Sequence, residues 1–335
     1  MIDRVKALCA LPGVSGHEEA VREAILALIR PHADEIRIDA MGTVMALRKG
    51  RQPGPVCMMA AHMDEVGLMV TRVAEDGALH FDCVGSIDER LLLSKRVYVG
   101  AGAIPGVIAA PPVHLGSKEK IKADALRIDI GADSRIQAQE AAAPGDPVVF
   151  EGPPVEMGEG WLRAKAIDDR AGCAVLTMLA QETPAVDTWL VFTAQEEVGA
   201  RGAACAAHAL RPDYAFVIES TTAADIAGNP AHKAVCRPGH GVVLPFMDKG
   251  TIYSPALLKH LHTLADGNGI ARQTKEVIAG GTDAAAIHRS RDGIPTAGLA
   301  AAVRSIHSPV SAAKIGDLED VYKLALLAYT EPFAG

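Results

Sequence analysis

Aromatic residues are scarce in this chain: two Trp, five Tyr and six Phe make up 4% of 335 residues. A sugar-binding cleft paved with rings is poorly provided for. The six cysteines (Cys9, Cys57, Cys83, Cys173, Cys205, Cys236) are scattered and form no C-x-x-C pair. That argues against a thiolate zinc site or a disulfide framework and fits reduced thiols in a cytoplasmic protein. Any metal would have to be held by His and carboxylates. Positive charge is not in excess, since 33 Lys+Arg against 41 Asp+Glu leave a net −8. This balance speaks against a nucleic-acid partner or an anionic membrane surface. No apolar run approaches the roughly 18 residues of a membrane span. The N-terminal "MIDRVKALCALPGVSG" lacks the basic segment and long apolar core of a signal peptide.

What the chain does have is an ordinary globular composition, 49% hydrophobic and 22% charged, at a length that allows two domains. "SGHEEAVREAILALIRPHA" reads as a helix with Ser15 as N-cap and acids in the first turn. "IRIDAMGTVMALR" and "PVCMMAAHMDEVGLMV" read as strands bounded by Gly and Pro. Between about 70 and 158 the texture changes to short strands ("GALHFDCVG", "KRVYVG", "IPGVIAA", "DPVVFEG") with a weak helix near "SRIQAQEAA". After 160, helices alternate with strands: "RAGCAVLTMLAQE" then "DTWLVFTA", "RGAACAAHAL" then "YAFVIE", "SPALLKHLHTLADG" then "QTKEVIA", and last "DLEDVYKLALLAYT" after "IPTAGLAAA". The expected fold is a three-layer α/β/α catalytic domain, residues 1–69 with 159–335, carrying a β-rich insert over 70–158. In such sheets functional groups gather at the carboxyl ends of the strands.

Five places there could carry chemistry. In "AAHMDE", His62 and Asp64 are two apart in an extended chain and share a face. An imidazole can then hold a metal while the nearby carboxylate orients it. Asp168 and Asp169 open a helix, where aspartates usually cap. Glu196 and Glu197 follow the apolar "TWLVF"; a bare Glu-Glu pair is usually a solvated turn. Glu219 ends an apolar strand and His307 lies in the loop after "TAGLAAAVR", and either alone would mean little. Together they make a His/carboxylate set suited to Zn²⁺, Co²⁺ or Mn²⁺. With one bridging carboxylate such a set builds a two-metal site, and one further carboxylate must stay free to move a proton.

The motifs "GVSGHE", "AAHMDEVGLMV", "GVIAAPPVH", "IDIGADSRIQAQ", "AIDDRAGCAV", "TAQEEVGARGA", "GGTDAAAIH" and "RSIHSPVS" run over nearly the whole chain in one order. With them the sequence resembles the M42 glutamyl/deblocking aminopeptidases, dinuclear metallopeptidases of which some are labelled endoglucanases. The resemblance implies a zinc-peptidase-like fold and two divalent cations per subunit. It implies that His62 and Glu197 are terminal ligands, that Asp168 bridges, and that Glu219 and His307 complete the shell. Glu196 would be the general base, and Asp64 would hold the His62 ring. A cis peptide between Asp168 and Asp169 is implied as well. Gly281, Thr282 and Asp283 would form a substrate loop, with Asp283 receiving the free amine of a peptide.

Two departures stand out. Many members of the family carry Asp where this chain has Glu219, and His114 is displaced within "APPVH", so it is given no role. The resemblance further implies a dimerising insert and dimers that assemble into a tetrahedral dodecamer, with peptides as substrates. The alternatives are a dipeptidase or N-acyl deacylase on the same centre, an endoglucanase, and a non-catalytic binding module. The few aromatics tell against the endoglucanase, and the filled catalytic positions tell against the binding module.

Overall fold

The computed structural model describes residues 1–110 and 123–333; His114 lies outside them. Strands β1 (Glu35–Ile38), β2 (Val44–Arg48) and β3 (Cys57–His62) come first. Then follow β4 (Gly67–Val73), β5 (Leu79–Val84), β6 (Arg96–Val99), β7 (Ile104–Ala109), β8 (Arg127–Asp129) and β9 (Pro147–Phe150). The remainder are β10 (Val155–Met157), β11 (Trp161–Ala164), β12 (Thr188–Thr193), β13 (Tyr214–Thr222), β14 (Val242–Val243), β15 (Arg272–Gln273), β16 (Thr296–Arg304) and β17 (Ser311–Lys314). The helices are α1 (Ile2–Cys9), α2 (Glu19–Ile29), α3 (Arg135–Gln139), α4 (Ile167–Leu179), α5 (Arg201–Leu210), α6 (Pro255–Gly267), α7 (Ala284–Ile287) and α8 (Ile315–Thr330).

The fold is mixed α/β, built on one large sheet of order β1-β2-β12-β3-β13-β16-β17-β11-β10, with β14 attached to β16 and β15 to β14. Its centre, β12-β3-β13-β16, is parallel. These strands are mostly apolar, polar residues such as His62, Thr193 and Glu219 falling toward their carboxyl ends, because helices α4 and α8 pack against them, as a covered parallel sheet requires. β3 and β12 are buried at every residue, and the "TAGLAAAVR" of β16 presents mostly small side chains.

Strands β4 to β9 leave the sheet after His62 and close into an antiparallel barrel, β4-β5-β8-β7-β6-β9. The barrel buries a core of its own, including Leu68, Val99, Ile108, Ile128 and Val148. It ends at Phe150, and β10, inside the expected 70–158 segment, pairs with β11 in the large sheet.

Three local expectations are corrected. Ser15 does not cap α2, which starts at Glu19 without a side-chain cap. Its hydroxyl donates instead to Asp64 at 2.6 Å, because a bridge between Val14 and Glu65 draws this segment against the end of β3. The "QTKEVIA" strand shrinks to Arg272–Gln273, since β14 offers only two residues to pair with. Glu219 does not end its strand: Ser220 to Thr222 go on pairing with Ala301 to Val303.

Candidate metal centre

His62 is the last residue of β3 and stands in register with Thr193, the last of β12. Three and four residues beyond Thr193 come Glu196 and Glu197. Glu219 lies on β13 beside Ala300 of β16, and His307 follows the end of β16 by three residues. Asp168 and Asp169, joined by a cis peptide bond, have non-helical backbone angles at the start of α4. Parallel register thus carries the candidates to one rim of the sheet.

Asp168 sits at the middle of the group. Its Oδ1 is 3.3 Å from His62 Nε2, which is also 3.3 Å from Glu219 Oε1. Its Oδ2 is 3.4 Å from His307 Nε2, which is also 3.4 Å from Glu197 Oε2. One carboxylate therefore faces two separate His–Glu pairs. Ligand atoms of His62, Asp168 and Glu197 lie within 4.8 Å of one another, and so do those of His62, Asp169 and Glu219. Asp168 Oδ1 and Asp169 Oδ2 are buried without a hydrogen-bond partner, an expensive arrangement unless a cation is received there. Hard oxygens and imidazoles crowded this way are a donor set that fits divalent cations.

Asp64 organises the rim from behind. His62 Nδ1 faces the Asp64 carbonyl at 3.1 Å and Asp64 Oδ1 at 3.5 Å, which leaves Nε2 toward the cluster. The same carboxylate accepts from the amides of Glu196 and Glu197, at 2.9 and 3.1 Å. Glu18 accepts from the Gln195 amide at 3.1 Å. A turn follows, in which the amides of Gly199 and Ala200 donate to the Glu196 carbonyl at 2.8 and 2.9 Å. Gly199 takes a φ of 119°, a left-handed value that favours glycine. Held so, the two adjacent glutamates both approach the centre.

Electrostatics report the same crowding. Burial pushes Glu197 up to about 7 and Glu219 up to about 8, with the Asp168 charge adding to both. Burial also raises Glu196 well above the usual carboxylate range, helped by Glu219, Asp283 and Glu197. Burial opposes protonation of His307, yet Asp168 and Glu197 carry it to about 9. Asp168 is buried too, but the closeness of the His307 and His62 rings holds it well below the usual range.

The expected substrate loop divides. Thr282 borders a cavity beside Glu219 and Gly281 is exposed. Asp283 is fully buried behind Thr193, whose hydroxyl donates to it. Sequence reasoning passed over Asp169 as a helix cap, and it passed over Ser15 and Glu18 as helix-start residues. The doubled acid in "IDD", the same signal as in "QEE", could have flagged Asp169.

The model of the M42 glutamyl aminopeptidase family matches residues 42–324, which include every residue of this cluster. The chain belongs to the M42 family. Lysyl aminopeptidase of Pyrococcus furiosus is 31% identical to this M42 chain over 333 residues, covering 96% of it and 94% of the relative. An aminopeptidase of the archaeon Desulfurococcus kamchatkensis has the same fold, with a TM-score of 0.95 at 33% identity over 99% and 95% of the two chains. The TET1 peptidase of Pyrococcus horikoshii, which can assemble into a tetrahedron or a large octahedral shell, matches with a TM-score of 0.88 at 33% identity over 99% of each chain. This M42 chain is accordingly a hydrolase of the aminopeptidase type. No helix among its described residues is long and apolar enough to cross a membrane.

Proposed function

We propose that this aminopeptidase works with two divalent cations, Zn²⁺ or Co²⁺ in the first place and Mn²⁺ as a third candidate, held by His62, Glu219, Glu197, His307 and a shared Asp168. The observation that carries the reading is the two-sided placement of Asp168 between the two His–Glu pairs. When bound, such cations supply Lewis-acid polarisation of the scissile carbonyl and acidify water. Asp64 keeps the His62 ring turned, with Nε2 toward the centre, and holds the Glu196–Glu197 backbone. Glu196 forms no ion pair with either histidine among the described residues, whereas Glu197 and Glu219 do, and it is left as the group that takes a proton from the attacking water and returns it to the leaving amine. Its raised pKa suits a carboxyl that must hold that proton for part of the cycle. Asp283, buried beside Thr193, adds negative charge behind His62, and a protonated N-terminal amine would favour that field.

The decisive experiment replaces Glu196 with Gln. We expect kcat on aminoacyl-anilides to fall by about 10²- to 10⁴-fold while metal content stays at wild-type level. Near wild-type turnover would remove Glu196 from the role of base. N-acetylated substrates should be refused; their hydrolysis would favour a deacylase.

The barrel is proposed as the dimerising module of a homo-oligomer that closes into a tetrahedral shell. Exposed Leu91, Leu93, Tyr98, Val107 and Ile136 on or beside it supply apolar surface for that contact. Six free cysteines, four of them buried, support a reducing, cytoplasmic setting.

A further inference from the structure

A groove of about 800 Å³ runs between the barrel and the start of α2. Pro12, Pro147, Val149, Phe150 and Pro153 line it, so its walls are largely apolar. Its charged side chains are Lys165 and the acids Glu19, Asp146 and Glu151. Phe150 and Lys165 also border the cavity of Asp168, Glu197 and His307, which makes groove and centre continuous. Gly152 forms part of the seam. A Cβ there would stand 3.0 Å from the Pro309 carbonyl oxygen and 3.0 Å from Lys165 Cβ, so a bare glycine lets the loop that carries His307 sit close against the groove wall.

Lys165 is only 6% exposed. Its Nζ donates to the Leu11 carbonyl and to Glu65 Oε1, both at 2.6 Å. An ammonium has three donors, so one is left without a partner among the described residues. The Arg170 guanidinium stands 3.3 Å from the same Glu65 oxygen, and this buried group therefore holds two cations for one carboxylate. Such an excess favours an oxygen acceptor from outside. The charges also orient a peptide at the centre. Lys165 repels its protonated amine, which the field of Asp283 favours, and attracts its carbonyl oxygens.

We propose that the groove receives the residues of the peptide beyond the scissile bond, and that Lys165 donates to the first carbonyl oxygen downstream of that bond. The inference rests on the reading of the His–carboxylate cluster as the catalytic centre. Apolar downstream residues gain by burial against the prolines, Val149 and Phe150. Acidic ones meet Glu19, Asp146 and Glu151 and are disfavoured.

The test compares kcat/KM on Leu-anilide, Leu-Ala-amide, Leu-Ala-Val-Phe-amide and Leu-Ala-Asp-Asp-amide for the metal-loaded wild type, Lys165→Met and Ala20→Trp. In the wild type Leu-Ala-Val-Phe-amide should exceed both Leu-Ala-amide and Leu-Ala-Asp-Asp-amide by about tenfold or more. Ala20 is exposed where α2 borders the groove, so Ala20→Trp fills the groove from outside the core. It should bring the ratio of Leu-Ala-Val-Phe-amide to Leu-Ala-amide to near one; an unchanged ratio would overturn the groove assignment. Leu-anilide has no carbonyl beyond its scissile bond. Lys165→Met should therefore lower the ratio of Leu-Ala-amide to Leu-anilide by about tenfold. A merely structural lysine would lower both rates together and leave that ratio unmoved, which would overturn its assignment. The wild-type series needs no variant to fold. If a second copy of the chain covers the groove instead, that series is flat, Ala20→Trp lowers the native mass, and the proposal fails. A wild type that cleaves all four substrates at similar rates sinks the groove alone. One that cleaves none sinks the reading of the centre with it.

Discussion

Asp64 has no exposed surface, yet it accepts from the Ser15 hydroxyl and from two consecutive amides while lying beside the His62 ring. Removing it would free both the imidazole and the glutamate pair. We expect Asp64→Ala to weaken metal binding by about 10- to 100-fold, measured by titration of the chelated protein. Unchanged affinity would mean that the ring is held by other contacts. The titrating groups give a second prediction at this scale. In the metal-free protein the crowding pushes Glu197, Glu219 and His307 up to about 7, 8 and 9, above their ordinary 4.5, 4.5 and 6.5. A raised folded pKa contributes stability that is fully present below the unfolded value and is lost as pH climbs through the folded one. The chelated protein should therefore lose thermal stability between about pH 5 and 9. Cations replace those protons, so loading should tighten as pH rises and the melting gap between loaded and chelated protein should widen. Melting curves at pH 6, 7.5 and 9 check this; a constant gap would contradict the ligand set.

Among the elements, α4 has the strictest task, because its first turn carries Asp168. Arg170 anchors it. The guanidinium is fully buried and donates to the carbonyls of Met63 and Leu8 at 2.7 and 2.8 Å, and it stands 3.3 Å from Glu65 Oε1. Lys165 reaches the same oxygen at 2.6 Å. One residue thus ties α4 to α1 and to the end of β3, and sets Asp168 against His62. Arg170→Ala leaves buried carbonyls unpaired and should destabilise the fold by roughly 3–5 kcal/mol, read from denaturant unfolding. A loss below about 1 kcal/mol would show that α4 is held by its apolar face alone. The helix periodicity of "RAGCAVLTML" is plain in the sequence, but this anchor is not, since its partners lie more than 100 residues away.

For the whole molecule, the sheet and the barrel meet where chemistry is expected. Phe150 of β9 and Val66, just before β4, border the cavity that holds Asp168, Glu197 and His307. The barrel therefore bears on the centre as well as presenting apolar surface outward. Native mass should be a multiple of the 35.0 kDa chain. Val107→Glu, on the outer side of β7, should lower that mass if the barrel forms the contact. A fully active monomer would remove the oligomer from the proposal, and an unchanged mass in the variant would move the interface elsewhere.

By itself the sequence determined that strands and helices alternate after residue 160, that short strands fill the middle, and that His62, His307 and the acids Asp168, Asp169, Glu196, Glu197 and Glu219 make one His/carboxylate set, while the choice of Asp168 and Glu197 as ligands came with the resemblance to the M42 family. Those signals are local: apolar runs, Gly and Pro breaks, and acids or imidazoles placed near strand ends. Tertiary structure alone decided the rest. It brought Ser15 to Asp64 across 49 residues and the Glu197 amide to Asp64 across 133. The physical reason is register. Side-chain identity fixes what a residue can bond, but only the parallel pairing of β3, β12, β13 and β16 decides which distant residues come within bonding reach.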